Sequence, residues 1–126
     1  MKLRVARHTN NLDNIKEFYT NVLSFQLLGS FKNHKGYNGV FIGKPGLDWH
    51  LEFTQSNEKA NHVFDEDDIL VWYPSIEAEY NTFINKIKKH KIKVIPSKNP
   101  YWNENGTMIL DPDGYRILIA HNNPKQ

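Results

Sequence analysis

The sequence NNLDNIKEFYTNVL, residues 10–23, carries apolar side chains at the spacing of one helix face. Those side chains are Leu12, Ile15, Phe18, Tyr19, Val22 and Leu23. Because residues three and four apart lie on the same side of an α-helix, this period predicts an amphipathic helix, with Asn10 or Asn11 as its N-cap. The stretch LRVARH before it alternates apolar and polar residues, which is typical of a β-strand. The fold therefore begins with a strand followed by a helix.

Three short strands are predicted after this helix, in FQLLGSF, YNGVFIGK and DWHLEFTQ. A polar segment, SNEKANHVFDED, reads as a linker. The pattern then begins again with a strand in ILVWYP and a helix in SIEAEYNTFINKIKKHK, for which Ser75 is the expected N-cap. Strands in IKVIPS, GTMILD and YRILIAH follow, the last two joined by the turn DPDG. The order strand, helix and three strands thus occurs twice, in modules at about 2–55 and 67–122.

Each module has one apolar helix stripe and one apolar sheet face, so each helix can pack on its own sheet. The other sheet face is left over, and in both modules we expect it to carry polar residues. The prediction is an α+β fold for a single domain over residues 1–126. Its two βαβββ modules would form a curved eight-stranded sheet around a cavity, with the helices outside.

The composition excludes several classes of function. Sixteen Lys and Arg against fourteen Asp and Glu leave a net charge of +2, too small to indicate a nucleic-acid partner. The absence of cysteine excludes disulfides, thiolate nucleophiles and Cys-ligated metal sites. The N-terminal sequence MKLRVARHTN lacks the apolar run of a signal peptide, and no segment approaches the roughly 20 apolar residues that span a bilayer. We therefore expect a cytoplasmic protein with no membrane partner.

Three stretches, FYTNVLSFQLLGSF, LEFTQ and DPDGYRILI, resemble the vicinal oxygen chelate (VOC) superfamily. This superfamily includes glyoxalase I, extradiol dioxygenases, fosfomycin-resistance enzymes and bleomycin-resistance proteins. The resemblance covers Leu3 to about His121 and implies the two-module fold and a homodimer. In enzymes of this superfamily, side chains on the first and last strands of each module hold a divalent metal that stabilises an oxyanion of the substrate.

The metal ligands that the resemblance implies are only partly present. Arg4 falls where glyoxalase-like members carry a His, and a guanidinium cannot ligate a metal. Glu52 keeps the ligand type of its position, Asp68 lies near the third position, and the aliphatic Leu118 takes the fourth. The resemblance therefore implies a bleomycin-resistance-like protein that binds a small molecule in the sheet cavity without the standard metal quartet and without a cofactor.

Polar residues on the first and fourth strands are the candidate ligand-binding residues. We expect Arg4 and Glu52 to form an ion pair, because a guanidinium fits a carboxylate bidentately and an unpaired buried charge is costly. The alternative is a metal-dependent lyase or dioxygenase. It would use His8, His50 and Glu52 as a set of two histidines and one carboxylate for nickel, zinc, manganese or iron, and Glu52 could then serve in catalysis.

Aromatic residues make up 13% of the chain, and some lie where a core would not use them. Tyr101 and Trp102 lie in KNPYWNENG, predicted as a loop that either packs its own aromatics or covers the cavity and stacks on a planar ligand. Trp72 and Phe41 could line the same space. A third possibility is a regulatory or protein-interaction module whose cavity is filled by side chains.

Overall fold

The computed structural model describes residues 1–121. The chain divides into two compact units whose boundary lies between His62 and Val63, and each unit contains one of the predicted modules. The predicted end of the second module at residue 122 lies outside the described residues.

The first unit has the predicted order of strand, helix and three strands. Its elements are β1 Leu3–His8, α1 Leu12–Glu17, β2 Gln26–His34, β3 Tyr37–Gly43 and β4 Trp49–Gln55. The four strands form one sheet in the order β1-β4-β3-β2, with β1 parallel to β4 and the other pairs antiparallel.

The first predicted helix is present, and its N-cap is Asn11, whose side-chain oxygen accepts a hydrogen bond of 3.0 Å from the backbone N–H of Asn14. Its second half, Phe18–Val22, is a π-helix in which the N–H of Leu23 donates to the carbonyl of Phe18, five residues earlier, at 3.2 Å. Ile15 and Leu23 are fully buried, as the apolar period predicts.

The second unit repeats this topology with one additional helix. Its elements are β5 Ile69–Trp72, α2 Glu77–Lys89, β6 Val94–Ile95, α3 Pro100–Asn105, β7 Gly106–Leu110 and β8 Arg116–Ala120. The strand order is β5-β8-β7-β6, with β5 parallel to β8. The predicted eight strands and two βαβββ modules are confirmed, and the strands are divided between two four-stranded sheets.

Two local predictions in the second unit are wrong. The N-cap of α2 is Ile76 instead of Ser75, and no side chain caps it. Ser75 lies one position before the cap. Its backbone N–H donates a hydrogen bond of 2.8 Å to the carboxylate of Glu79.

The segment KNPYWNENG contains the short helix α3 instead of being a loop. The side chain of Asn99 accepts a hydrogen bond of 3.1 Å from the N–H of Tyr101, and Pro100 occupies the first turn, where its missing N–H costs nothing. This combination of cap and proline is a local signal for the start of a helix, and the prediction of a loop is wrong here.

Helix α2 packs on the sheet face that includes Thr107 and Ile119. The hydroxyls of Tyr80 and Thr107 are 2.8 Å apart, and Phe83 and Ile87 of α2 are buried. Among residues 1–121, no helix has the length and hydropathy needed to cross a membrane.

Candidate ligand-binding site

The pairing of β1 with β4 brings four of the predicted site residues to one sheet face. Arg4 pairs with His50, Ala6 with Glu52, and His8 with Thr54. Because side chains alternate along a strand, these residues share one face, and the other face carries residues such as Leu51 and Phe53, which are buried.

The side chain of Arg4 has three partners on this face. Its Nε donates a hydrogen bond of 2.9 Å to Nε2 of His50, and its Nη1 lies 3.8 Å from Oε2 of Glu52. Its Cζ lies 4.9 Å from the centre of the Phe41 ring, within the range of a cation–π interaction. The predicted ion pair between Arg4 and Glu52 is present, but it is not bidentate because the Nε hydrogen bond goes to His50.

This arrangement fixes Arg4 while leaving its hydrogen-bonding capacity incompletely used. Nε2 of His50 accepts the hydrogen bond from Nε of Arg4, so in this arrangement Nε2 carries no proton. In the described part of the chain no hydrogen bond reaches the carboxylate of Glu52, whose side chain is 15% exposed. The side chain of Arg4 is 51% exposed. The face thus offers a ligand both a cationic donor and an anionic acceptor.

An aromatic pair borders these charged groups. The rings of Phe31 and Phe41 have centroids 5.8 Å apart, and the ring of Phe41 lies edge-on to His50 at 6.0 Å. Phe31 was missed in the sequence. The glycine that pairs with it, Gly39, is the sequence signal. In the structure, a Cβ atom at Gly39 would lie 2.4 Å from the Phe31 ring. An aromatic residue paired with a glycine across a hairpin is a known way to cover the glycine.

His8 shares the sheet face but belongs to a different cluster. Its Nδ1 lies 2.9 Å from Oγ1 of Thr54, and its Nε2 lies 3.1 Å from both the Ser56 hydroxyl and the Glu58 carbonyl. Four strand positions separate His8 from the Arg4–His50 pair, which corresponds to about 13 Å along a strand. The alternative metal set of His8, His50 and Glu52 is therefore not assembled.

The residues at the superfamily's ligand positions also do not fit the standard metal. Arg4 and Leu118 have no atom that can coordinate a cation, and Leu118 is fully buried. Asp68 is exposed, in a turn closed by a hydrogen bond of 3.1 Å from its N–H to the Asp65 carbonyl. Within residues 1–121, no group of three or more His, Asp or Glu side chains is placed to hold a metal ion.

The corresponding face of the second module is apolar around Leu118 and carries the polar residue Arg116 at one end, so the prediction of a polar face in both modules holds only in part for the second. Met108, Leu118 and Ala120 form a buried cluster. Partly buried hydrophobic residues pack against it, namely Ile69, Val71, Ile95 and Trp102. Because Trp102 of α3 packs against this cluster, its ring covers this part of the sheet face.

Tyr101 and Trp102 contact each other edge-to-face, with ring centroids 4.8 Å apart. The Tyr101 hydroxyl is buried and has no hydrogen-bond partner among residues 1–121. The two rings are therefore parts of the packed structure around α3 and do not form a loop flap.

The placement predicted for Trp72 is wrong. Trp72 pairs with Ile119, whereas Val71 pairs with Leu118. Trp72 is thus on the sheet face that packs on α2, opposite the face that carries Leu118. The fully apolar strand sequence ILVW gives no alternation from which its orientation could be predicted.

A cavity of about 530 Å³ lies in the first unit, between α1 and the strands β2 and β3. Its amide side chains are engaged in the fold. Gln55 accepts from the N–H of Leu12 at 2.9 Å and donates to the carbonyl of Asn10, whose own side chain accepts from the N–H of Ala60 at 2.8 Å. Because these amides already hold the helix and the linker, we prefer the Arg4 face as the candidate site.

Two family models match the chain, one over each module. Residues 3–54 match the YycE-like N-terminal domain, and residues 67–121 match the YycE-like C-terminal domain. The chain is 39% identical to the uncharacterized protein YycE of Bacillus subtilis over 121 residues, which is 95% of this chain and 87% of that protein. The chain belongs to the YycE-like family.

Solved structures agree with this assignment. A crystal structure of a YycE protein of unknown function from Bacillus subtilis, proposed to be a glyoxalase or fosfomycin-resistance protein, has a TM-score of 0.86 at 40% identity and covers 97% of this chain and 89% of that one. Glyoxalase I of Leishmania major has a TM-score of 0.74 at 20% identity, covering 97% and 86%. This YycE-like chain has the fold of the VOC superfamily, which includes glyoxalase and bleomycin-resistance proteins.

A third structural neighbour is TnmS3, an antibiotic-binding protein from Streptomyces sp. CB03234. Its TM-score is 0.68 at 18% identity, covering 96% of this YycE-like chain and 94% of TnmS3. At this identity the likeness concerns the fold.

Proposed function

We propose that this YycE-like chain binds a small molecule through the polar face of its first module, without a metal and without transforming the ligand. The observation that carries the proposal is the arrangement around Arg4, which is held by His50 at 2.9 Å, Glu52 at 3.8 Å and the Phe41 ring at 4.9 Å. A guanidinium fixed by three partners supplies permanent positive charge at a position where the superfamily's enzymes use a metal.

The chemistry of this face favours a ligand with an anionic or oxygen-rich group. The remaining N–H donors of Arg4 suit a carboxylate or phosphonate, which a guanidinium binds bidentately. Glu52 can accept hydrogen bonds from hydroxyl or amine groups of the same ligand, and Phe31 and Phe41 offer ring surface to its apolar part. TnmS3 is an antibiotic-binding protein of this fold, which supports a binding role.

We also propose that the protein acts in the cytoplasm as a homodimer. A chain with no cysteine has no disulfide to lose in a reducing compartment, and dimers are what the VOC resemblance implies. Light scattering during size-exclusion chromatography would measure the dimer directly, and a monomeric mass at all concentrations would contradict it.

A thermal-shift screen tests the proposed binding function, because a compound that binds only the folded state raises the apparent melting temperature. Organic phosphonates, carboxylates and aromatic antibiotics are screened against the wild-type protein and Arg4→Gln. We expect at least one compound to stabilise the wild type and to lose most of its effect on Arg4→Gln. The matched control is Lys2→Gln, which removes an exposed positive charge just before β1 and should retain the effect.

Two outcomes would contradict the proposal. One is that every stabilising compound acts equally on the wild type and Arg4→Gln. The other is metal-dependent turnover of methylglyoxal–thiol adducts or catechols, after reconstitution with nickel, zinc, manganese or iron, that is lost in Glu52→Gln. The second result would establish the lyase or dioxygenase alternative.

A further inference from the structure

A second cavity, of about 270 Å³, lies in the second unit and contains two cationic side chains. It is lined by Glu66, Pro96, Ser97, Lys98 and Arg116. None of these residues belongs to the Arg4 face, so an inference about this cavity stands independently of the proposed function.

Both cations contact a single carboxylate, and neither contact is a hydrogen bond. Nη2 of Arg116 lies 3.7 Å from Oε1 of Glu66, and Nζ of Lys98 lies 3.9 Å from Oε2. Hydrogen bonds between such groups are about 2.7–2.9 Å long, so both cations retain donor capacity. The Arg116 side chain is only 19% exposed, whereas that of Glu66 is 61% exposed. The three groups leave one excess positive charge in the cavity.

Ser97 adds a buried hydroxyl that is unsatisfied. The residue is 7% exposed, and its Oγ has no hydrogen-bond partner in the part of the chain that the structure describes. Native structures pair nearly all buried polar groups, so the hydroxyl of this cavity-lining residue retains a hydrogen-bonding capacity that the described residues do not use.

The backbone of Ser97 is held rigidly by α3. Its N–H donates to Oδ1 of Asn103 at 2.7 Å, and its carbonyl accepts from Nδ2 of Asn103 at 3.1 Å. A side-chain amide that closes both hydrogen bonds fixes the loop between β6 and α3 before any ligand arrives, which lowers the entropic cost of binding.

We propose that this cavity is a binding site for a small oxyanion, a carboxylate, phosphonate or phosphate group. Arg116 and Lys98 supply the charge, and the Ser97 hydroxyl donates a hydrogen bond. Glu66 is an internal competitor that occupies the two cations when no anion is bound. The volume lies just below the range of about 300–1,000 Å³ for whole-ligand pockets, so the cavity suits one anionic group.

The experiment is a titration of the full-length protein with inorganic phosphate, methylphosphonate or acetate at constant ionic strength, followed by amide chemical shifts in NMR. We expect saturable shifts at Ser97, Lys98 and Arg116. Arg116→Gln should weaken binding about tenfold or more, because it removes the bidentate charged donor. Glu66→Gln, at an exposed position, should tighten binding because it removes the competing carboxylate.

The charge-matched control is Lys88→Gln on the exposed side of α2, which should leave the dissociation constant unchanged. The variant Arg4→Gln should also bind the anion normally, which separates this site from the ligand-binding face of the first module. The relative affinities identify the class of anion. Tighter binding of phosphate or methylphosphonate than of acetate indicates a phosphoryl or phosphonyl group, and tighter binding of acetate indicates a carboxylate.

Shifts that do not saturate in the wild type would overturn the proposal, as would a loss of affinity in Lys88→Gln equal to that in Arg116→Gln. Glu66→Gln is expected to raise the affinity, which a folding defect cannot do. The test therefore does not depend on Arg116→Gln folding correctly. Weaker or equal binding by Glu66→Gln would contradict the competitor role and the site with it.

Discussion

In the first module the sheet face away from the helix carries Arg4, His50 and Glu52, whereas in the second module the same face carries Met108, Leu118 and Ala120. The strand registers make the comparison residue by residue. Glu52 lies between Ala6 on the parallel strand and Phe41 on the antiparallel strand. Leu118 lies between Val71 and Met108 in the same way. Glu52 and Leu118 therefore occupy equivalent positions in the two modules.

The difference shows how one topology can serve two purposes. The Glu52 side chain keeps 15% of its surface exposed beside a cation, whereas Leu118 is fully buried in an apolar cluster to which Trp102 contributes. A carboxylate is stable in the first setting because water and Arg4 compensate it, whereas the fully buried position of Leu118 gives no contact with water. The exposed polar face of the first module thus suits recognition of a ligand, and the covered apolar part of the second module's face contributes to stability.

The largest effect is expected when the polar residue of one module is placed in the other. Leu118→Glu would bury a carboxylate in the apolar Met108–Leu118–Ala120 cluster, and we expect the free energy of unfolding to fall by about 3–5 kcal/mol. Urea denaturation followed by circular dichroism measures this loss.

The reverse exchange is the matched control. Glu52→Leu removes a partly exposed carboxylate whose partner Arg4 is half exposed, so the free energy of unfolding should change by about 1 kcal/mol or less. Equal losses in both variants would show that the two faces are buried alike, which would contradict the comparison.

Removal of the covering ring should have an intermediate effect. Trp102→Ala deletes a partly buried indole that packs against the apolar cluster, and we expect a loss of about 2–3 kcal/mol in unfolding free energy. Tyr101→Phe is the control, since the Tyr101 hydroxyl makes no hydrogen bond among residues 1–121 and its removal should be neutral or slightly stabilising. Thermal denaturation of both variants checks these expectations. An unfolding free energy of Trp102→Ala equal to that of the wild type would mean that α3 does not cover the face.

The smallest effect concerns the N-caps of the two helices. Asn11 caps α1 through its side chain, whereas the apolar side chain of Ile76, at the N-cap of α2, cannot form such a hydrogen bond. Ile76 is 60% exposed and has extended backbone angles, so Ile76→Asp should gain about 1 kcal/mol in unfolding free energy. Asn11→Ala should lose a similar amount. A destabilised Ile76→Asp in urea titration would show that the Ile76 side chain makes contacts that matter more than the cap.

The sequence was sufficient where a signal is local and periodic. The apolar stripe of residues 10–23 correctly predicted the helical segment, and Asn11 is one of its two candidate caps; the alternation in HLEFTQ put His50 and Glu52 on one face. It was insufficient for Trp72, because every residue of ILVW is apolar and its face depends on pairing with β8. It also misplaced Trp102, because the helix start at Asn99 and Pro100 resembles a turn.

The residue order alone predicted the two βαβββ modules, since periodicity does not depend on distant contacts, and the family resemblance implied the incomplete set of metal ligands. The tertiary structure decided how the polar residues combine. Strand register placed the Arg4 hydrogen bond on His50 and separated His8 from both. The packing of α3 covered the face of the second module and positioned Ser97. Register and packing join residues far apart in the chain, and for that reason the local sequence could not specify them.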